Sequence, residues 1–226
     1  MTRYEAPAKL NLSLLVGTPR SDGLHPLESV VQTVEWCDLI DVEAGEGKDT
    51  LDVLGADLDP RENLVLQALN AARVGVDFEP LRVTLTKNIP VGSGLGGGSS
   101  DAAATLLAVS EISETPAGDL RGPAMSVGAD VPLFLVGGSL VMRGVGEVVE
   151  PLPPLTGFAT AIVVPAFGLS TADVYRRWDE MEGPEGDVVA DDLLPPGLRG
   201  GMPMRNDLLP AALSIEPRLG DFRADV

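Results

Sequence analysis

Several ingredients are scarce in these 226 residues, and each scarcity excludes something. There is one cysteine, Cys37, so no disulfide can form within the chain, and a reducing cytoplasm is the expected setting. A small core residue is the ordinary reading of such a cysteine, ahead of a nucleophile. There is one histidine, His25, and a lone histidine is ordinarily structural or merely exposed, so by itself it counts for little. No apolar run approaches the ~20 residues of a membrane span, and no signal-peptide pattern precedes the first alternating segment. Positive charge is short as well: 16 basic residues against 34 acidic ones give a formal charge of −18, which argues against a nucleic-acid or anionic-membrane partner. Lysine occurs only at Lys9, Lys48 and Lys87, so the placing of each is informative.

What is abundant is glycine, concentrated in one stretch. Pro90, Val91, Gly92, Ser93, Gly94, Leu95, Gly96, Gly97, Gly98, Ser99 and Ser100 run directly into Asp101 and an alanine-rich apolar segment. Glycine admits positive φ and lets another group approach the main chain. Ser99, Ser100 and Asp101 are helix-opening residues, and Ala102–Ile112 continues as a helix with Ala103, Leu106 and Leu107 on one face. Unpaired amides and the positive dipole end at such a helix start favour phosphate, so this segment is expected to hold the phosphates of a nucleotide.

The remaining pattern is mixed α and β. Residues 8–16 alternate, with Leu10, Leu12 and Leu14 on one side and Lys9, Asn11 and Ser13 on the other. Alternation alone leaves two readings open for the polar row, a solvated sheet face or one wall of a site. Strands are expected at 28–36, 39–43, 51–54 and 81–86, and again at 133–136, 138–143, 147–152 and 158–165. Asn63 is placed to cap a helix with apolar positions at Leu64, Val65, Ala68, Leu69 and Ala72, and Ser170 and Thr171 to cap another reaching about Met181. Residues 182–204 read as a loop, and Asn206-Asp207 opens a last helical stretch. The proline cluster at 151–154 marks a boundary, giving domains 1–150 and 151–226.

Which phosphate loop this is follows in part by elimination. Gly92, Gly94 and Gly97 satisfy G-x-G-x-x-G, a weak signal by itself, and the second strand ending in an acidic residue that a dinucleotide fold needs is missing. There is no Gly-Lys-Ser/Thr of a Walker A loop, and none of the partner motifs of a protein kinase.

The stretch from Pro90 to Ser100 resembles the phosphate-binding motif of the GHMP small-molecule kinases, the superfamily of galactokinase, homoserine kinase and mevalonate kinase. The pieces Pro7–Leu12, Asp22–His25, Glu62–Val65, Gly128–Pro132 and Asn206-Asp207 resemble, in order, those members that phosphorylate a cytidine diphosphate-linked methylerythritol in isoprenoid biosynthesis. The resemblance implies an α/β (α+β) two-domain fold, with an N-terminal domain like ribosomal protein S5 domain 2 and a partial ferredoxin-like C-terminal domain, because the family's last Gly-rich turn is not found before Val226. It implies ATP and Mg2+ as cofactors, with the metal ligands unassigned, and a small-molecule substrate. It implies Lys9 and Asp130 as the catalytic pair, in which Lys9 keeps Asp130 ionised and offsets charge on the moving phosphoryl group. It places Asn11, His25 and Tyr175 at the substrate, with Tyr175 stacking on the base and Leu24 where relatives often carry an aromatic residue. Asn63 and Lys87 would lie near the adenine and ribose, and Pro90–Ser100 around the phosphates. Another GHMP kinase, of the homoserine or mevalonate type, and a non-catalytic nucleotide-binding remnant are the alternatives.

Overall fold

The computed structural model describes residues 1–155, 159–190, 198–199 and 203–225. The chain forms two compact units, one of residues 1–10 with 33–138, the other of residues 11–32 with 139–226. Two long strands, β1 (Thr2–Asn11) and β3 (Leu27–Ala44), contribute residues to both. β1 pairs with β3. The two strands expected at 28–36 and 39–43 are therefore one continuous strand.

In the first unit, β5 (Leu81–Thr86) runs antiparallel to the end of β3, from Leu39↔Thr86 to Ala44↔Leu81, and β4 (Thr50–Leu54) runs parallel to β5. A parallel pair needs a crossover, and helix α1 (Leu64–Ala72) supplies it. The Asn63 side chain caps α1 by accepting from Val65 N at 3.0 Å, as its position before an apolar repeat predicts. Helix α2 (Gly97–Ile112) packs on α1. It is buried on nearly every side, with Ala103 and Leu106 inaccessible and Leu107 half-buried. Ile40, Val83, Leu85, Leu69 and Leu106 close the core. α3 (Arg121–Val127) and α4 (Val131–Phe134) complete the unit.

The strand expected at 133–136 is not formed, since Val131–Phe134 is a helical turn. A short unbroken apolar run has no period to separate strand from buried helix, and Pro132 fits a first helical turn, where its missing N–H costs nothing.

In the second unit, β2 (Leu15–Val16) and β6 (Ser139–Gly144) both pair antiparallel with the start of β3, and β7 (Val148–Pro151) pairs with β6. Val30, Val141, Leu198 and Met204 form one apolar cluster. Val174 and Trp178 of α5 (Thr171–Glu180) form another with Ala211 of α6 (Leu209–Ile215). Ser170 caps α5 through Asp173 N at 3.3 Å. A last helix, α7 (Arg218–Asp225), follows.

Of the strand expected at 158–165, Phe158 lies outside the described residues, and 159–165 form no regular element. A strand is completed by a partner ladder, and no described strand pairs there. The loop expected at 182–204 lies partly outside the described residues; its described part contains no long helix or strand. Asn206 and Asp207 do open the last helical stretch. Asn206 accepts from Leu208 N at 3.0 Å, while buried Asp207 accepts from Val16 N and Gly186 N, each at 3.0 Å.

Candidate functional site

The glycine stretch turns a strand into a helix. β5 ends at Thr86, the chain passes Lys87 to Pro90, and the loop enters α2 with Gly92, Gly94 and Gly96 at φ of 73°, 77° and 73°. The helix starts at Gly97, earlier than the serines suggest, and its cap Gly96 supplies no side-chain acceptor. The first-turn amides of α2 are therefore left for a ligand by helix geometry, at the positive end of the dipole. Gly96 cannot be replaced without cost: besides its left-handed φ, a Cβ there would lie 2.9 Å from both Lys9 Cγ and Phe134 Cζ. The loop, Asn63, Lys87, Asp101 and the turn residues Asp59 and Glu62 line a cleft of about 490 Å³. A chain of phosphates fits this setting chemically, with backbone donors and positive φ on one wall.

Lys9 and Asp130 stand beside this loop. The backbone of Lys9 is fixed to it, Lys9 N donating to Leu95 O at 2.9 Å, and its Nζ lies 3.6 Å from Asp130 Oδ2. Lys9 is buried, whereas the Asp130 side chain is 34% exposed. Asp130 sits at the cap position of α4, yet its carboxylate makes no cap hydrogen bond and faces Lys9 instead. The polar row at 9, 11 and 13, which begins in β1 and continues past its end, is not solvated: Lys9 and Ser13 are more deeply buried than Leu10, Leu12 and Leu14. Of the two readings left open by alternation, the burial argues against the solvated sheet face.

Lys87 lines the cleft, and its ammonium is held by two carboxylates, Asp38 Oδ2 of β3 and Asp101 Oδ2 of α2, the latter at 2.7 Å. Burial pushes the Asp101 carboxyl up to about 7; Lys87 opposes the rise and Asp38 adds to it. Neither aspartate stood out in the sequence. Asp38 is one acidic residue in an alternating strand, and Asp101 reads as a helix opener.

The expected substrate residues lie in the second unit. The imidazole of His25 is largely enclosed, with Nδ1 donating to Gly17 O at 3.1 Å and Nε2 3.3 Å from Asp179 Oδ2. Tyr175 lies near its ring at a centroid distance of 5.2 Å, and Trp178 meets it edge-on at 5.4 Å. Sequence reasoning singled out His25 and Tyr175 but missed Trp178 and Asp179. The α5 register carries that signal, because 175, 178 and 179 share one helix face. Asn11 donates through Nδ2 to Ser29 Oγ at 2.8 Å, and Leu24 is exposed.

Cys37 is half-buried and its thiol is pushed up, by burial first and then by Glu5, Asp38 and Glu35, which is the reverse of an activated nucleophile. Among the described residues no group of three or more acidic, histidine or cysteine side chains could hold a metal, and no helix is long and apolar enough to cross a membrane.

Comparison with known proteins gives consistent results. The family model for the GHMP kinases N terminal domain matches residues 63–138. The 4-diphosphocytidyl-2-C-methyl-D-erythritol kinase of Paramagnetospirillum magneticum is 39% identical over 98% of this chain and 80% of its own length. The protein of the same name from Brucella abortus is 39% identical over 97% of this chain and 78% of its own length. A crystal structure of 4-(cytidine 5'-diphospho)-2C-methyl-D-erythritol kinase superposes with a TM-score of 0.72 at 35% identity, covering 99% of this chain and 81% of the other.

Proposed function

The chain belongs to the 4-diphosphocytidyl-2-C-methyl-D-erythritol kinase family of the GHMP kinases, and on that footing we propose that it transfers the γ-phosphoryl group of ATP to the 2-hydroxyl of 4-diphosphocytidyl-2-C-methyl-D-erythritol. The observation that carries this reading is the Lys9–Asp130 pair, 3.6 Å apart beside the glycine loop. Phosphoryl transfer asks mainly for positioning and charge stabilisation. Asp130 is exposed enough to meet a substrate hydroxyl, and accepts its proton or orients it as the oxygen attacks phosphorus. The ammonium of Lys9 offsets negative charge that spreads over the transferred oxygens. The α2 amides and the glycine loop hold the phosphates, and Asn63 and Lys87, which line the same cleft, are assigned to the nucleoside side. Magnesium supplies charge neutralisation as the nucleotide complex, and no residue of this chain is assigned to it.

Base recognition is assigned to His25 and Tyr175, with Trp178 bracing the imidazole from its edge, and Asn11 is assigned to the substrate from the β1 row that also carries Lys9. The single cysteine and the strong negative charge fit a cytoplasmic enzyme acting on a small molecule. The deciding assay is ADP release with the cytidyl substrate, homoserine and mevalonate in parallel. Turnover with the cytidyl compound alone is expected; equal or better turnover with either other alcohol would reassign the substrate.

A further inference from the structure

Lys87 is the second lysine of the first unit with an enclosed side chain, 5% of which is exposed. It leaves β5 where the chain enters the glycine loop, and bridges Asp38 to Asp101. Asp38 also holds the strand exit, its Oδ1 accepting from Asn88 N at 2.5 Å and Ile89 N at 2.8 Å. A Cβ on Gly97 would lie 3.1 Å from Lys87 Nζ and 3.2 Å from Asp38 Oδ2, so the cluster packs directly beneath the first residue of α2. Strand exit, loop and helix start are thus tied by three side chains.

The cluster is one charge out of balance. Two carboxylates share one ammonium, and Asp101 Oδ1 is buried with no hydrogen-bond partner among the described residues. A buried carboxylate oxygen with nothing to accept from is costly, and a proton on it removes both that cost and the repulsion from Asp38. The titratable groups acting on Asp101 are Lys87 from the β5 exit and Asp38 from β3; Asp59 and Glu62 line the same cleft.

We propose that Asp101 is a positioning residue that couples phosphate binding on the glycine loop to the uptake of one proton. This rests on the nucleotide reading above. Phosphate charge arriving at the start of α2 disfavours a negative charge on Asp101, the fifth residue of the helix, which lines the same cleft. Solvent then supplies a proton to Asp101 Oδ1, and Lys87 remains paired with Asp38. The carboxyl's position near about 7 places this exchange where a modest added potential shifts it.

Calorimetric titration of the 226-residue chain with a non-hydrolysable ATP analogue and magnesium, in buffers of different ionisation enthalpy, counts the protons taken up. The wild-type chain is expected to take up a substantial fraction of a proton beyond Asp101→Asn above neutral pH. Its affinity should fall relative to that variant by up to about tenfold per pH unit. Infrared difference spectra of the wild-type chain should gain a protonated-carboxyl band on binding, a readout that does not depend on the variant folding. Equal proton numbers in two binding-competent proteins, or no new carboxyl band, would overturn the coupling. No binding by the wild-type chain would overturn the nucleotide reading itself, and the coupling with it.

Discussion

Lys9 and Lys87 both have enclosed side chains in the first unit and both lie against the glycine loop, yet their surroundings differ in kind. Lys9 faces one carboxylate, Asp130, at 3.6 Å, and that carboxylate is 34% exposed. Lys87 is enclosed by two carboxylates, Asp38 and Asp101, that are almost wholly buried. An ammonium beside an accessible carboxylate can act on an incoming group. One enclosed by buried carboxylates holds the framework, since removing any member strands a charge. Residue type and burial do not separate the lysine proposed for the chemistry from one that ties elements of the fold together. The exposure of the partner does.

Replacing either member of the Lys9–Asp130 pair, and then Lys87, tests that contrast most strongly. Asp130→Asn is expected to lower single-turnover phosphoryl transfer by ~10²–10⁴-fold, and Lys9→Met by ~10²–10³-fold, with circular dichroism unchanged in both. Near wild-type turnover in Asp130→Asn would remove that residue from the chemistry. Lys87→Met should act instead on folding, destabilising the chain by roughly 3–5 kcal/mol in urea titrations, because two buried carboxylates lose their counter-charge. A midpoint unchanged from wild type would dissolve the distinction.

The next test uses pH. Folded Asp101 keeps its proton up to about 7, whereas the ordinary carboxyl value is 3.8. The folded state therefore binds more protons across that window, and this group's contribution to stability is complete below the lower value and is lost as pH rises through the upper one. Thermal unfolding should show the decline between those values in the wild-type chain and a flatter profile in Asp101→Asn. Identical profiles would mean that Asp101 does not titrate there.

The smallest effect concerns the second unit, where no lysine takes part. Tyr175→Ala should weaken binding of the cytidyl substrate by ~0.5–1.5 kcal/mol, and Leu24→Tyr should leave it equal or tighter. Weaker binding in Leu24→Tyr with none lost in Tyr175→Ala would move the base to another pocket.

Much of the first unit was legible because its signals are local. The glycine loop, the Asn63 cap, and strands β4 and β5 follow from backbone freedom and period within a few residues, as does the Ser170 cap in the second unit. Residues 133–136 and 159–165 were misread as strands because a short apolar segment states no period, and a strand needs a partner that its own residues do not name. Trp178 and Asp179 were passed over because a helix face becomes a pocket wall only when something packs on it.

By itself the sequence determined the glycine loop and the kinase family, since positive φ at glycine and a motif order spread along the chain are properties of the chain alone. Only the tertiary structure decided which carboxylate meets which lysine. Asp38 and Lys87 are 49 positions apart, and Lys9 and Asp130 are drawn from opposite ends of the first unit. Charge interactions depend on distance in space and on how much water remains between the groups, and neither is written in the spacing of residues.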